Sequence, residues 1–208
     1  MCIYDVLIAA VMIGLCVYAI LRSLMKLDKM HGMVFSRKEW CLLLAGSLVM
    51  AGIWGEMALK QSMSVKMAWL LIHIYFLSCS MVDSMTCHVY DIFQIPGITA
   101  AGYLVLKQQS NVLIGISILI FTILQAGIFM RLYGDADGMA LMVAAMAEGA
   151  LGYDINVYLL HMIMAYLLLA VVQIYKRNVG GRGRLKRPVP FLPYITVSFL
   201  AILIFGEI

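Results

Sequence analysis

Long apolar runs with almost no charge recur along this chain, and they constrain its fold more than any other feature. Between Cys2 and Leu21 the one charged residue is Asp5. Further runs cover about Trp40 to Leu59, Met67 to Val82, Ile92 to Leu106, Asn111 to Met130, Gly138 to Gly152, Ile155 to Tyr175 and Val189 to Gly206. A helix rises about 1.5 Å per residue, so roughly 20 apolar residues cross a bilayer. Of the 208 residues 64% are hydrophobic and 12% charged, too little charge to cover the surface of a water-soluble domain of this size. The expected fold is all-α: a polytopic transmembrane helical bundle of about eight spans, or six to eight depending on how the runs from 111 to 175 divide. Residues 1–208 read as a single membrane-embedded domain.

Several local features refine this reading. The first run carries Asp5 in place of a basic leader and no small-residue cleavage site follows it, so it reads as a retained span. Pro96 and Gly97 near the start of the fourth run predict a bend there. The alanine- and glycine-rich run from Gly138 to Gly152 predicts a helix buried among others, since small residues permit close approach. Five cysteines (Cys2, Cys16, Cys41, Cys79, Cys87) form no C-x-x-C pair and read as small apolar packing residues, without a metal site.

Basic residues are distributed unevenly. Loops after the odd-numbered runs hold Arg22, Lys26, Lys29, Arg37, Lys38, Arg131, Lys176, Arg177, Arg182, Arg184, Lys186 and Arg187, 12 of the 15 in the chain. The remaining three are Lys60, Lys66 and Lys107. By the positive-inside rule the odd loops face the cytoplasm and the N-terminus lies outside. The basic loop 176–187 suits contact with anionic lipid.

That orientation puts four aspartates on one side of the membrane: Asp83 and Asp91 around the third loop, Asp135 and Asp137 in the fifth. The stretch Tyr133 to Met139, YGDADGM, is the densest acidic feature at a span boundary. Two carboxylates held close cannot both ionise comfortably and share a proton. One can then take a proton from water attacking a carbonyl while the other hydrogen-bonds the carbonyl oxygen and protonates the leaving amine. Flanking glycines such as Gly134 let a substrate backbone approach. Aspartates at a helix start also cap it, and Asp135 reads as such a cap for the sixth run.

Three segments, in order, resemble the type IV prepilin peptidases, membrane aspartic proteases with a Gly-x-Gly-Asp signature. The segment from Asp83 to Gly97, DSMTCHVYDIFQIPG, is similar to the family's D-x-x-T-x-x-I-P-(N/D)-x-x-T-(L/I)-P, with Asp83 on the first catalytic aspartate, Thr86 on the threonine and Pro96 on the late proline. GDADGMAL, Gly134 to Leu141, resembles G-x-(G/A)-D-x-K-x-L, with Ala136 on the second glycine and Asp137 on the second catalytic aspartate. The closing run from Lys186 resembles K-x-x-I-P-F-G-P-(F/Y)-L-A. A shifted register would assign Asp135 in place of Asp137. Tyr90, Ala136 and Met139 depart from the family's proline, glycine and lysine.

The resemblance implies an aspartic endopeptidase that removes a short basic leader after glycine from a prepilin or pseudopilin precursor, at the cytoplasmic face of a bacterial or archaeal cell membrane. The family's cysteine-rich region is absent from the short first loop, which implies cleavage without N-methyl transfer and no metal or other cofactor. Expected partners are the precursor and the lipid bilayer, not nucleic acid, and a homo-oligomer stays open. The alternatives are an inactive relative acting as a pilus or secretion assembly partner, and a small proton-coupled transporter. His73 and His161 read as interhelical packing residues, and Glu56 and Glu148 as acids reaching the outer interface.

Overall fold

The computed structural model describes residues 3–27, 36–58, 61–87, 89, 91–108, 120, 135–180 and 189–205. Among these residues the chain is helical without strands. The helices are α1 (Ile3–Leu27), α2 (Arg37–Ala58), α3 (Met63–Thr86), α4 (Gln94–Gln108), α5 (Asp135–Ala150), α6 (Ile155–Gly180) and α7 (Leu192–Phe205), with a single 3-10 turn, Asp91–Phe93, ahead of α4. Four of them, α1, α2, α3 and α6, are long and apolar enough to cross a membrane, and α7 is a shorter apolar helix. The expected span from Asn111 to Met130 lies outside the described residues except for Ile120, which is helical.

The bundle is organised around α3. Most of its length is buried, whereas α1, α2 and α6 are largely exposed. Large apolar side chains such as Leu7, Val11, Leu44, Leu167 and Val171 lie on the outer surface, the arrangement of a protein solvated by lipid instead of water. Trp69, Ile72 and Phe76 of α3 are fully buried.

Neighbours meet α3 through small residues and aromatic contacts. Gly46 of α2 admits the Leu77 side chain, since a Cβ there would sit 2.7 Å from its Cδ1. On the opposite helix, Gly97 of α4 lies against the Tyr75 ring, where a Cβ would fall 2.8 Å from two ring carbons. The rings of Phe76 and Phe199 of α7 are 4.6 Å apart. Ser80 and Thr196 share a buried hydrogen bond of 2.5 Å between α3 and α7. Tyr166 of α6 and Phe191 then tie α6 to the start of α7, their centroids 5.1 Å apart.

The helix ends differ from the sequence reading in informative ways. α2 starts at Arg37, because Ser36 and Glu39 form a capping box: Ser36 N–H donates to Glu39 Oε2 and Glu39 N–H to Ser36 Oγ at 3.4 Å. α3 continues past Val82 through Asp83 to Thr86, so Asp83 belongs to a helix, not to the following loop. Cys87 closes α3 in a left-handed conformation (φ 53°), its N–H donating to Asp83 O. Pro96 falls within α4 without interrupting it. Pro96 is the third residue of that helix, where the N–H has no intrahelical partner to lose.

Candidate functional site

Asp83 is the best defined of the candidate residues. It sits in the last turn of α3 and is 7% exposed. A carboxylate so placed needs donors, and the end of its own helix offers only carbonyls. The donors come from the start of α7: Leu192 N–H reaches Asp83 Oδ2 at 3.0 Å, and the Phe191 N–H also bonds the carboxylate.

The local sequence explains this geometry. Tyr194 and Ile195 donate back to Phe191 O, Pro193 has no N–H, and the Leu192 N–H is therefore the orphan of the first turn. Asp83 supplies the acceptor that a capping side chain within the chain's own turn would otherwise provide. The first and third segments picked out by sequence thus meet through a direct hydrogen bond.

Asp137 lies in the first turn of α5 and is half-buried, with Asp135 exposed two residues before it. Acids at this end complement the helix dipole. Asp135 is already helical, so its place is inside the first turn. Asp137 is within electrostatic reach of Tyr75, and Cys79, one turn further along α3, is within reach of Asp83. Tyr75, Cys79 and Asp83 recur at intervals of four along α3, which puts them on one face of that helix. The two candidate aspartates, 54 positions apart in sequence, therefore address a common face of α3.

The remaining candidates have lesser roles. Thr86 Oγ1 donates to Val82 O at 2.8 Å within α3. Pro96 is exposed, Ala136 packs half-buried against the core, and Gly134 lies outside the described residues. The four described cysteines, Cys16, Cys41, Cys79 and Cys87, form no disulfide with one another. Cys41 and Cys87 are exposed, so only Cys79 is a fully buried packing residue.

Sequence reasoning missed two polar features. Tyr75 O–H donates to Gln94 Oε1 at 2.6 Å, joining α3 to the first residue of α4. Their pairing across 19 positions had no local signal. Glu148 does not reach an interface as expected: it is 1% exposed, with Oε1 2.7 Å from Nδ1 of the equally buried His161. His161 Nε2 lies 3.1 Å from Ile195 O, so α5, α6 and α7 meet at this imidazole. His73 bonds only within its own helix, Nδ1 lying 2.7 Å from Trp69 O.

Comparison with known proteins gives no match to a family profile, a curated protein or a solved structure.

Proposed function

We propose that the chain is a membrane aspartic endopeptidase of the prepilin peptidase type, with Asp83 and Asp137 as its paired carboxylates. The observation that carries this reading is the Asp83 Oδ2 to Leu192 N hydrogen bond of 3.0 Å, which joins the first of the three resembling segments to the third. Asp137, from the second segment, lies near Tyr75 on the helix that bears Asp83.

In this account Asp137 and Asp83 act on a peptide lying across the start of α5. One carboxylate accepts the proton of an attacking water, and the other, protonated, donates to the carbonyl oxygen and then to the departing amine. The substrate is a precursor with a short basic leader in the cytoplasm and an apolar helix in the bilayer, cut after glycine at the boundary. That requires the N-terminus outside and the α3–α4 and α5 ends inside, as the basic-residue count predicts. No methyl transfer accompanies cleavage.

The test is the protein reconstituted in vesicles with a synthetic precursor bearing a basic leader, a Gly-Phe junction and an apolar helix. The native chain releases the leader, and Asp83→Asn and Asp137→Asn each abolish release. Cleavage surviving either change sinks the assigned pair, and loss with Asp135→Asn while Asp137→Asn still cleaves moves the register by two residues.

A second reading, an inactive relative serving as an assembly partner, draws on the capping of α7 by Asp83 and on Met139 in the family's lysine position. Under it the native chain leaves the precursor intact, and Asp83→Ala lowers stability.

A further inference from the structure

Gln94 occupies an unusual position for a polar side chain. It is the first residue of α4, is 3% exposed, and is bonded to Tyr75 of α3. Its Oε1 is taken by the Tyr75 hydroxyl, but its Nε2 has no acceptor among the described residues. A buried N–H left unpaired costs about 1–3 kcal/mol. A leucine or methionine at this position would remove that donor, at the expense of the acceptor for the Tyr75 hydroxyl.

The surroundings hold the amide in one orientation. The Tyr75 hydroxyl donates to Gln94, with the Cys79 side chain one turn along the same face of α3. Its ring is seated in the notch left by Gly97. With the O–H donor directed at Oε1, the NH2 end is left without a partner among the described residues. Asp137 lies within electrostatic reach of the same phenol. An amide donor without an acceptor among the described residues is thus bonded through its oxygen to a phenol that one carboxylate of the proposed pair reaches electrostatically.

We propose that Gln94 is a substrate-binding residue, whose Nε2 donates to a backbone carbonyl of the extended precursor next to the scissile bond and so sets that bond against Asp137. Tyr75 is the positioning residue that aims it. The inference rests on the peptidase reading, and it assigns the ligand chemistry of the unpaired group: a peptide carbonyl, an acceptor without charge that does not repel Asp137. The unpaired donor is then a cost of the resting state that substrate removes.

Cleavage kinetics on the same synthetic precursor test it, with thermal unfolding followed on the same samples. Gln94→Met is expected to lower kcat/KM about ten- to hundredfold, the loss of one well-placed hydrogen bond. Its unfolding midpoint is expected to stay close to that of Tyr75→Phe, because both variants break the Tyr75–Gln94 hydrogen bond while Gln94→Met also removes the unpaired donor. Tyr75→Phe, which frees the amide to turn, is expected to give a smaller loss in kcat/KM, about three- to tenfold. Native kcat/KM in Gln94→Met overturns the inference, as does a loss accompanied by a midpoint well below that of Tyr75→Phe, which marks a structural role. If Asp83→Asn is inactive while Gln94→Met is native-like, only this inference fails. Absence of cleavage by the native chain overturns the peptidase reading and this inference with it.

Discussion

Removing the His161 imidazole should be among the most damaging single changes in the bundle, although His161 takes no part in the proposed chemistry. Its Nδ1 is 2.7 Å from Glu148 Oε1, and its Nε2 faces a carbonyl that can only accept, so Nε2 carries a hydrogen. Two lone pairs at 2.7 Å would repel, and one proton must therefore be shared between Nδ1 and the carboxyl. At that distance unit charges attract by about 6 kcal/mol at an effective dielectric constant of 20. Burying each ion costs several kcal/mol, so the intact pair comes close to break-even. Truncation is different: His161→Ala removes the attraction, leaves Glu148 buried without a partner, and opens the Ile195 carbonyl. The expected cost is about 3–5 kcal/mol. Glu148→Gln keeps a neutral group that can donate to Nδ1, and should cost about 1 kcal/mol or less. The assay is unfolding of the purified protein in mixed micelles under a denaturing detergent titration, single variants beside the double variant Glu148→Leu/His161→Phe. The double variant should be more stable than His161→Ala, since apolar replacement of both partners leaves no orphaned charge. His161→Ala within about 0.5 kcal/mol of native, a shift ordinary for surface sites, would refute the reasoning.

Other outcomes follow from particular contacts. Gly97→Ala must displace the Tyr75 ring near its base, because the new Cβ lies 2.8–2.9 Å from three ring carbons, and should cost about 1–3 kcal/mol in the same titration. Gly52→Ala, with nothing within 4 Å of the added Cβ, should instead stabilise α2 by about 0.5–1 kcal/mol through helix propensity. Asp154 caps α6, its Oδ1 accepting from Asn156 N at 3.0 Å and Val157 N at 3.1 Å. The Val157 amide first, then the Asn156 side chain, holds its pKa below the ordinary value of 3.8. The folded pKa being the lower, its stabilisation is complete above about pH 4 and lost as pH falls through the folded value. Native and Asp154→Ala unfolding midpoints should therefore differ at pH 6 and converge toward pH 3.

Much of the helical layout was legible because apolar run length alone encodes a lipid-facing helix, and α6 begins at the expected Ile155. What sequence could not locate were features created by distant partners. The reading ended the third run at Val82, since Asp83, Ser84 and Thr86 look like loop. In the folded chain Thr86 bonds back to Val82 and Asp83 finds its donors at Phe191 and Leu192, more than a hundred positions away. Glu148 looked like an interfacial acid for the same reason: the imidazole that neutralises it comes from the next helix and is itself held by a carbonyl of α7. Pro96 suggested a bend because the position of the α4 start, one residue past a 3-10 turn, is set by tertiary contact and not by composition. The start of α2 was local and readable, the Ser36 to Glu39 capping box lying among basic residues that looked like loop.

The central claim is that Asp83 performs chemistry as well as capping α7. Asn at this position keeps a side-chain oxygen to accept the Leu192 N–H, so folding and chemistry can be separated by one substitution. The decisive measurement is kcat/KM for leader release by Asp83→Asn relative to the native chain, with the unfolding midpoint taken on the same preparations. The account predicts a loss of about a thousandfold or more, the scale for removing one member of a catalytic unit, at a midpoint close to native. A variant that cleaves at the native rate would contradict it.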